Sequence, residues 1–155
     1  MFKIDIHTHI IPDNLPDFTK QFGYEGFVRL DKKNKSEANM ILFNENFRTI
    51  QCNCWNPKIR LDEMQNLDVD VQVISPIPIM FSYWAEPKDA LKQSQLINNF
   101  ISDVCIKYPK KFIGLGTIPM QSIDYSLKEL ERCKNDLNLQ GIEIGSNINN
   151  QNLNE

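Results

Sequence analysis

Two residues in this sequence are placed to hold a metal ion between them. His7 and His9 are the only two histidines of the chain. They lie in Lys3-Ile4-Asp5-Ile6-His7-Thr8-His9-Ile10, a segment that alternates with period two. On a strand, positions i and i+2 share a face and stand about 7 Å apart along the backbone. Two imidazoles so placed can converge on one cation, because Zn–N bonds are about 2 Å long and neutral imidazole suits zinc and other borderline metals. Asp5 is on the same face one step earlier, where its carboxylate is expected to orient a ligating ring through the ring's other nitrogen. Ile4, Ile6 and Ile10 take the opposite face. A His-x-His pair alone fits two polar residues on a solvated strand equally well. Placement favours the metal: a polar face on the first strand of a buried parallel sheet is out of place unless it lines a pocket.

The elements that must position this pair follow from periodicity. After Pro12, residues 13–57 form a long excursion of short β-like runs (Phe27-Val28-Arg29-Leu30, Met40-Ile41-Leu42-Phe43, Phe47-Arg48-Thr49-Ile50) that reads as a hairpin or small meander. It is too small for a core of its own. Asn56-Pro57 pairs an N-cap with proline at the first helical position, and Ile59, Met64 and Leu67 give that helix its apolar spacing. Val69 to Pro76 is a β-branched strand. Pro87 opens a helix whose stripe runs Ile97, Phe100, Ile101, Val104, Cys105, Tyr108. Phe112 to Pro119 is a third strand. Ser122 caps a third helix with Ile123, Leu127, Leu130 and Leu137 as its expected buried side. Gly141 to Ser146 is a fourth strand, with Glu143 pointing either inward or to the helix layer, and Asn147 to Glu155 has no core pattern. Strands alternating with helices imply a parallel sheet with right-handed crossovers; a doubly wound sheet and a barrel both satisfy that order. The histidines favour the barrel, since they fall at the C-terminal end of the first strand, where barrel enzymes place their active sites.

Composition narrows the function classes. The chain has 155 residues and a net charge of -3, with both signs mixed along it. No nucleic-acid partner is expected, because phosphate backbones demand a concentrated basic surface; the Asp31-Lys32-Lys33-Asn34-Lys35 stretch reads as a solvated loop. No apolar run reaches the roughly 18 residues of a membrane span, and the N-terminus lacks a secretory signal pattern, so a cytoplasmic location is expected. Of the four cysteines, Cys105 and Cys133 are expected to be buried apolar groups. Cys52-x-Cys54 has no complementary pair with which to complete a second zinc site.

Lys3 to Pro12 resembles the opening of the amidohydrolase superfamily in its decarboxylase branch. Phe22-Gly23-Tyr24, Asn53-Cys54-Trp55, Pro78 to Ala85, Gly114 to Gln121 and Glu131-Arg132-Cys133 are similar to the 2-amino-3-carboxymuconate-6-semialdehyde decarboxylase family, in register to about residue 153. The resemblance implies the N-terminal half of a (β/α)8 barrel with a long insertion after strand 1, and one Zn2+ as cofactor. It implies that His7 and His9 are the first two metal ligands and that Arg48 binds a substrate carboxylate. On its own pattern, Arg48 is a surface arginine on a hairpin. The family's remaining metal ligands and its acid/base histidine follow later strands, so no catalytic acid or base is assigned within this chain. The implied reaction is decarboxylation of a dicarboxylate semialdehyde in the kynurenine route of tryptophan catabolism, ahead of quinolinate, by an enzyme that is a homodimer at full length. Four strands cannot close an eight-stranded barrel, so the chain is expected to be a fragment, inactive alone and binding zinc weakly. The alternatives are another metal-dependent decarboxylase or hydrolase of the superfamily, or a non-catalytic fragment that pairs with an intact subunit.

Overall fold

The computed structural model describes residues 1–154. In chain order the elements are β1 (Ile4–His9), α1 (Phe18–Phe22), β2 (Arg29–Lys32), β3 (Glu37–Leu42), β4 (Glu45–Gln51), α2 (Pro57–Asn66), β5 (Val71–Ser75), α3 (Pro87–Lys107), β6 (Phe112–Gly116), α4 (Ile123–Asn135), β7 (Gly141–Ile142), β8 (Asn147–Ile148) and β9 (Gln151–Asn152). The order β1-β5-β6-β7 makes one sheet with every pairing parallel. Sequential strands joined by helices pair as neighbours, the half-barrel arrangement expected from the sequence. The caps act where the sequence puts them: Asn56 accepts from the Lys58 N–H and Ser122 from the Tyr125 N–H, each satisfying a donor the helix cannot.

The excursion after β1 is an antiparallel meander, β2-β3-β4, turned at Phe43 and Asn44, both with positive φ. It packs onto the sheet: Val28, Ala38, Met40, Ile50 and Trp55 share one apolar cluster with Ile10, Ile74, Ile97 and Ile101. This lays the meander over the C-terminal end of β1, just past the histidines, where the Ile11 N–H donates to the Cys54 carbonyl.

Three expectations change. Ile10 is fully buried, but Ile4 is 47% and Ile6 75% exposed. β1 is an edge strand, and its register against β5 slips between Asp5 and Thr8, an extra residue that breaks strict alternation. On α4 the stripe read as the buried side is outside: Ile123, Leu127 and Leu130 are exposed, while Ser126, Glu129 and Cys133 face inward. Periodicity locates the stripe but not the surface it meets. Finally, the fourth strand is short, and the segment after it forms the β8-β9 hairpin.

The glycines of β6 let α3 and the chain before β7 approach closely. A Cβ on Gly116 would stand 2.8 Å from Asn98 Oδ1 and 2.9 Å from Leu139 Cδ1, and the Asn98 amide is held in place by its own hydrogen bonds. Gly116→Ala is therefore expected to cost about 2 kcal/mol, as overpacking does; an unfolding midpoint in urea equal to that of the unaltered chain would contradict this.

Candidate metal centre

The imidazoles of His7 and His9 meet, with ring centroids 4.9 Å apart and planes at 81°. Rings this close can each bring one nitrogen within reach of a single ion, since Zn–N bonds are about 2 Å long. The surroundings of His9 select which nitrogen is free. Its Nδ1 lies 2.8 Å from the Pro76 carbonyl and 3.1 Å from Ser75 Oγ. A carbonyl only accepts, so Nδ1 carries the proton and Nε2 presents its lone pair, the second-nitrogen arrangement common to ligating histidines. Ser75 Oγ in turn donates to the Thr8 carbonyl, and the Thr8 hydroxyl donates to the Val73 carbonyl. These bonds tie the ends of β1 and β5 together beneath the rings.

Asp5 takes a different role from the one expected. Its carboxylate accepts from the His7 backbone N–H at 3.3 Å and has no recorded bond to either ring. The bulge in β1 is the reason, because it offsets Asp5 from the face that the rings share.

Two residues that the sequence reading did not single out or left open belong to this site. Arg60, 8% exposed on α2, donates to the His9 carbonyl at 2.6 Å, to the Asn53 carbonyl at 3.1 and 3.2 Å, and to Gln72 Oε1 at 3.3 Å. It clamps the end of β1 to the chain preceding α2. Burial lowers its pKa from the usual guanidinium value, against the opposing pull of Cys54, Glu63 and Asp5. Glu143, whose N–H donates to the Gly116 carbonyl at 2.8 Å, turns inward: its Oε2 lies 3.7 Å from His9 Nδ1. The structure thereby settles the direction that periodicity left open.

Arg48 is not brought to the pair. It is exposed on β4 with its guanidinium 6.0 Å from the Phe47 ring centroid. Cys52 and Cys54 sit in a 3-10 turn with free thiols, and burial raises the Cys54 pKa. Cys133 is buried and Cys105 half-buried, and desolvation pushes their thiols up to about 12 and about 11. Both are inert apolar groups near neutral pH. Among the described residues, no cluster of three or more His, Cys, Asp or Glu forms a cation cage. The pair thus supplies two of the four donors that tetrahedral zinc takes, and a ring nitrogen from each, that of His9 left free by the Nδ1 hydrogen bond, fits such an ion.

Beside the pair a groove of about 670 Å³ opens between the segments that follow β5 and β7, lined by Phe81, Tyr83, Trp84, Glu143 and Gly145 among others. The Gly145 N–H donates to the Tyr83 hydroxyl at 3.0 Å, and Phe81 stacks on Tyr83 with centroids 5.6 Å apart. Trp84 packs 4.9 Å from Phe27 and closely over Gly26, where positive φ and the indole together exclude a side chain. Phe81 to Trp84 line this groove at the C-terminal face, where open parallel sheets and barrels bind ligands, while Met80 is buried in the core. A second groove of about 620 Å³ lies at the opposite end of the sheet, by Met1, Lys3 and Asp70; neither groove is lined by a histidine, and it is Glu143 that joins the first one to the pair. No helix is long and apolar enough to cross a membrane among the described residues.

Known proteins resemble this chain in sequence and in fold. The profile of the amidohydrolase family matches residues 4–155. The 2-amino-3-carboxymuconate-6-semialdehyde decarboxylase of Dictyostelium discoideum is 48% identical over 153 residues, covering 99% of this chain and 43% of that protein. The Caenorhabditis elegans protein of the same name is 33% identical, over 97% of this chain and 42% of its own length. The chain thus spans less than half the length of these relatives. Among solved structures, 5-carboxyvanillate decarboxylase from Novosphingobium aromaticivorans, a complex with manganese, superposes with a TM-score of 0.74 at 19% identity, over 99% of this chain and 44% of that one; at that identity the likeness concerns the fold, a half-barrel. By the match along nearly its whole length and by its relatives, this chain belongs to the amidohydrolase family.

Proposed function

We propose that this chain is the metal-binding first half of a zinc-dependent decarboxylase acting on 2-amino-3-carboxymuconate 6-semialdehyde, in tryptophan catabolism. The observation that carries the reading is the His7–His9 pair, with rings 4.9 Å apart and the tautomer of His9 set by the Pro76 carbonyl. Similarity to the Dictyostelium and Caenorhabditis decarboxylases supports the substrate. In this reading His7 and His9 hold the ion through their free ring nitrogens. A zinc ion so bound supplies Lewis acidity and an acidified water. The chain's own residues then do three things: Pro76 and Ser75 fix the ring of His9, Arg60 fixes its backbone, and Arg48 takes a substrate carboxylate with its planar two-pronged guanidinium. The aromatic groove beside Glu143 receives the unsaturated carbon skeleton, whose protonation precedes loss of CO2. The active unit is a homodimer located in the cytoplasm.

Arg48 requires the meander to swing its guanidinium toward the groove, since it is exposed in this structure. The test is a chimera in which residues 1–150 replace the matching half of the Dictyostelium relative. It is expected to decarboxylate the semialdehyde, and Arg48→Ala in it to raise KM about 100-fold, the scale of a lost charge-assisted bond of about 3 kcal/mol. The unjoined chain is expected to show no turnover. Full activity of the 155-residue chain, or a chimera active on aromatic acids but not on the semialdehyde, would contradict the assignment.

A further inference from the structure

We propose that Glu143 is a positioning residue for the His9 imidazole, a carboxylate that reaches across the inner face of the sheet to back the cation site. The inference rests on the metal-binding reading above and deepens it. β1 and β7 are the two outer strands of the four, separated by β5 and β6. A side chain from one can touch a side chain from the other only across the concave face. Glu143 does so, with Oε2 3.7 Å from His9 Nδ1. That oxygen is buried and has no hydrogen-bond partner. A carboxylate oxygen that loses water without gaining a donor is costly.

The groups around it are otherwise neutral. Ser75 Oγ and the Pro76 carbonyl meet the same nitrogen of His9, and the Tyr83 hydroxyl, already receiving the Gly145 N–H, is the other titratable group beside Glu143. The Pro76 carbonyl suffices to choose the tautomer. Glu143 adds negative charge. Its place beside Nδ1 keeps it off the ion itself, which takes Nε2. When a cation draws electron density from Nε2, the Nδ1–H is polarised and its attraction to a carboxylate grows. The ligand becomes more basic and the ion's charge is partly offset. A cation at the histidines thus strengthens the attraction between the His9 ring and a carboxylate oxygen that has no hydrogen-bond partner of its own.

The experiment compares the unaltered chain with Glu143→Gln, which keeps shape and one acceptor but loses the charge, and with Glu143→Leu, which loses both. Zinc affinity is measured by competition with a chromophoric chelator, the His9 ring nitrogens by long-range 1H–15N spectra without metal, and folding by urea unfolding. The expected result is about tenfold weaker zinc binding in Glu143→Gln, the scale for groups that act through a ligand, and weaker still in Glu143→Leu. The His9 nitrogens shift in both variants while the unfolding midpoint of Glu143→Gln is unchanged. Equal zinc affinities and unmoved His9 resonances in all three proteins would overturn the inference and leave the metal reading standing. Failure of the unaltered chain to bind zinc at all would overturn both.

Discussion

Asn98→Leu is expected to destabilise the chain by about 3–5 kcal/mol, because several buried polar groups lose partners at once and each costs about 1–3 kcal/mol. Asn98 is fully buried on α3. Its Oδ1 accepts from the Thr117 N–H and its Nδ2 donates to the Thr117 carbonyl, both at 2.8 Å, so it continues the hydrogen bonding of β6 past the strand's last residue. The same Nδ2 donates to Glu129 Oε1 at 2.7 Å. Glu129 is 1% exposed and is gripped from the other side by Arg132, whose Nε and terminal nitrogen donate to its two oxygens at 2.9 and 2.7 Å. Leucine fills nearly the same volume, so the experiment isolates polarity from packing. It strands the Thr117 backbone pair and takes one of two supports from a buried carboxylate, and burying a charge with too few partners is among the few ways to lose this much stability. Urea unfolding at neutral pH measures it. A loss below about 1 kcal/mol, the net worth of one ordinary hydrogen bond, would show that the network is dispensable.

Arg60→Met carries the second large effect, and it falls on the site as well as on the fold. The substitution retains an apolar stem but removes the donors that reach the His9 carbonyl, the Asn53 carbonyl and Gln72. Hydrogen bonds to charged groups are worth about 1.5–3 kcal/mol, so a loss of about 3 kcal/mol in unfolding free energy is expected. Freed of that clamp, the end of β1 no longer fixes the second ring against the first, and zinc affinity should fall about tenfold, as it does when groups behind metal ligands are removed. Urea unfolding and a zinc competition titration on the same sample separate the two effects. Loss of stability with unchanged affinity would mean that Arg60 supports the fold alone.

How far the sequence foretold this structure depends on whether a signal was local. The histidine pair was legible because two imidazoles two residues apart on a strand share a face whatever the rest of the fold does. The helix starts were legible because caps and prolines act within one turn. Arg60 was not, since an arginine amid charged residues on a helix looks solvated until the carbonyl it reaches, 51 positions away, is known. Asn98 stands in the stripe of Ile97 and Ile101, but its partners come from the residue just after β6 and from α4. The α4 stripe was read correctly as a stripe and assigned to the wrong surface, because amphipathicity gives a direction and not a neighbour. Asp5 was misplaced by a bulge that no alternating pattern announces.

With only two histidines in the chain, the imidazole region of a long-range 1H–15N spectrum holds two ring systems, and a zinc titration reads both directly. If His7 and His9 grip one ion, one nitrogen of each ring shifts toward the metal-bound range in parallel, both saturate at one equivalent, and replacing either residue by alanine abolishes the response of the other. Rings that stay unshifted, or that respond independently at different zinc concentrations, would contradict a shared site.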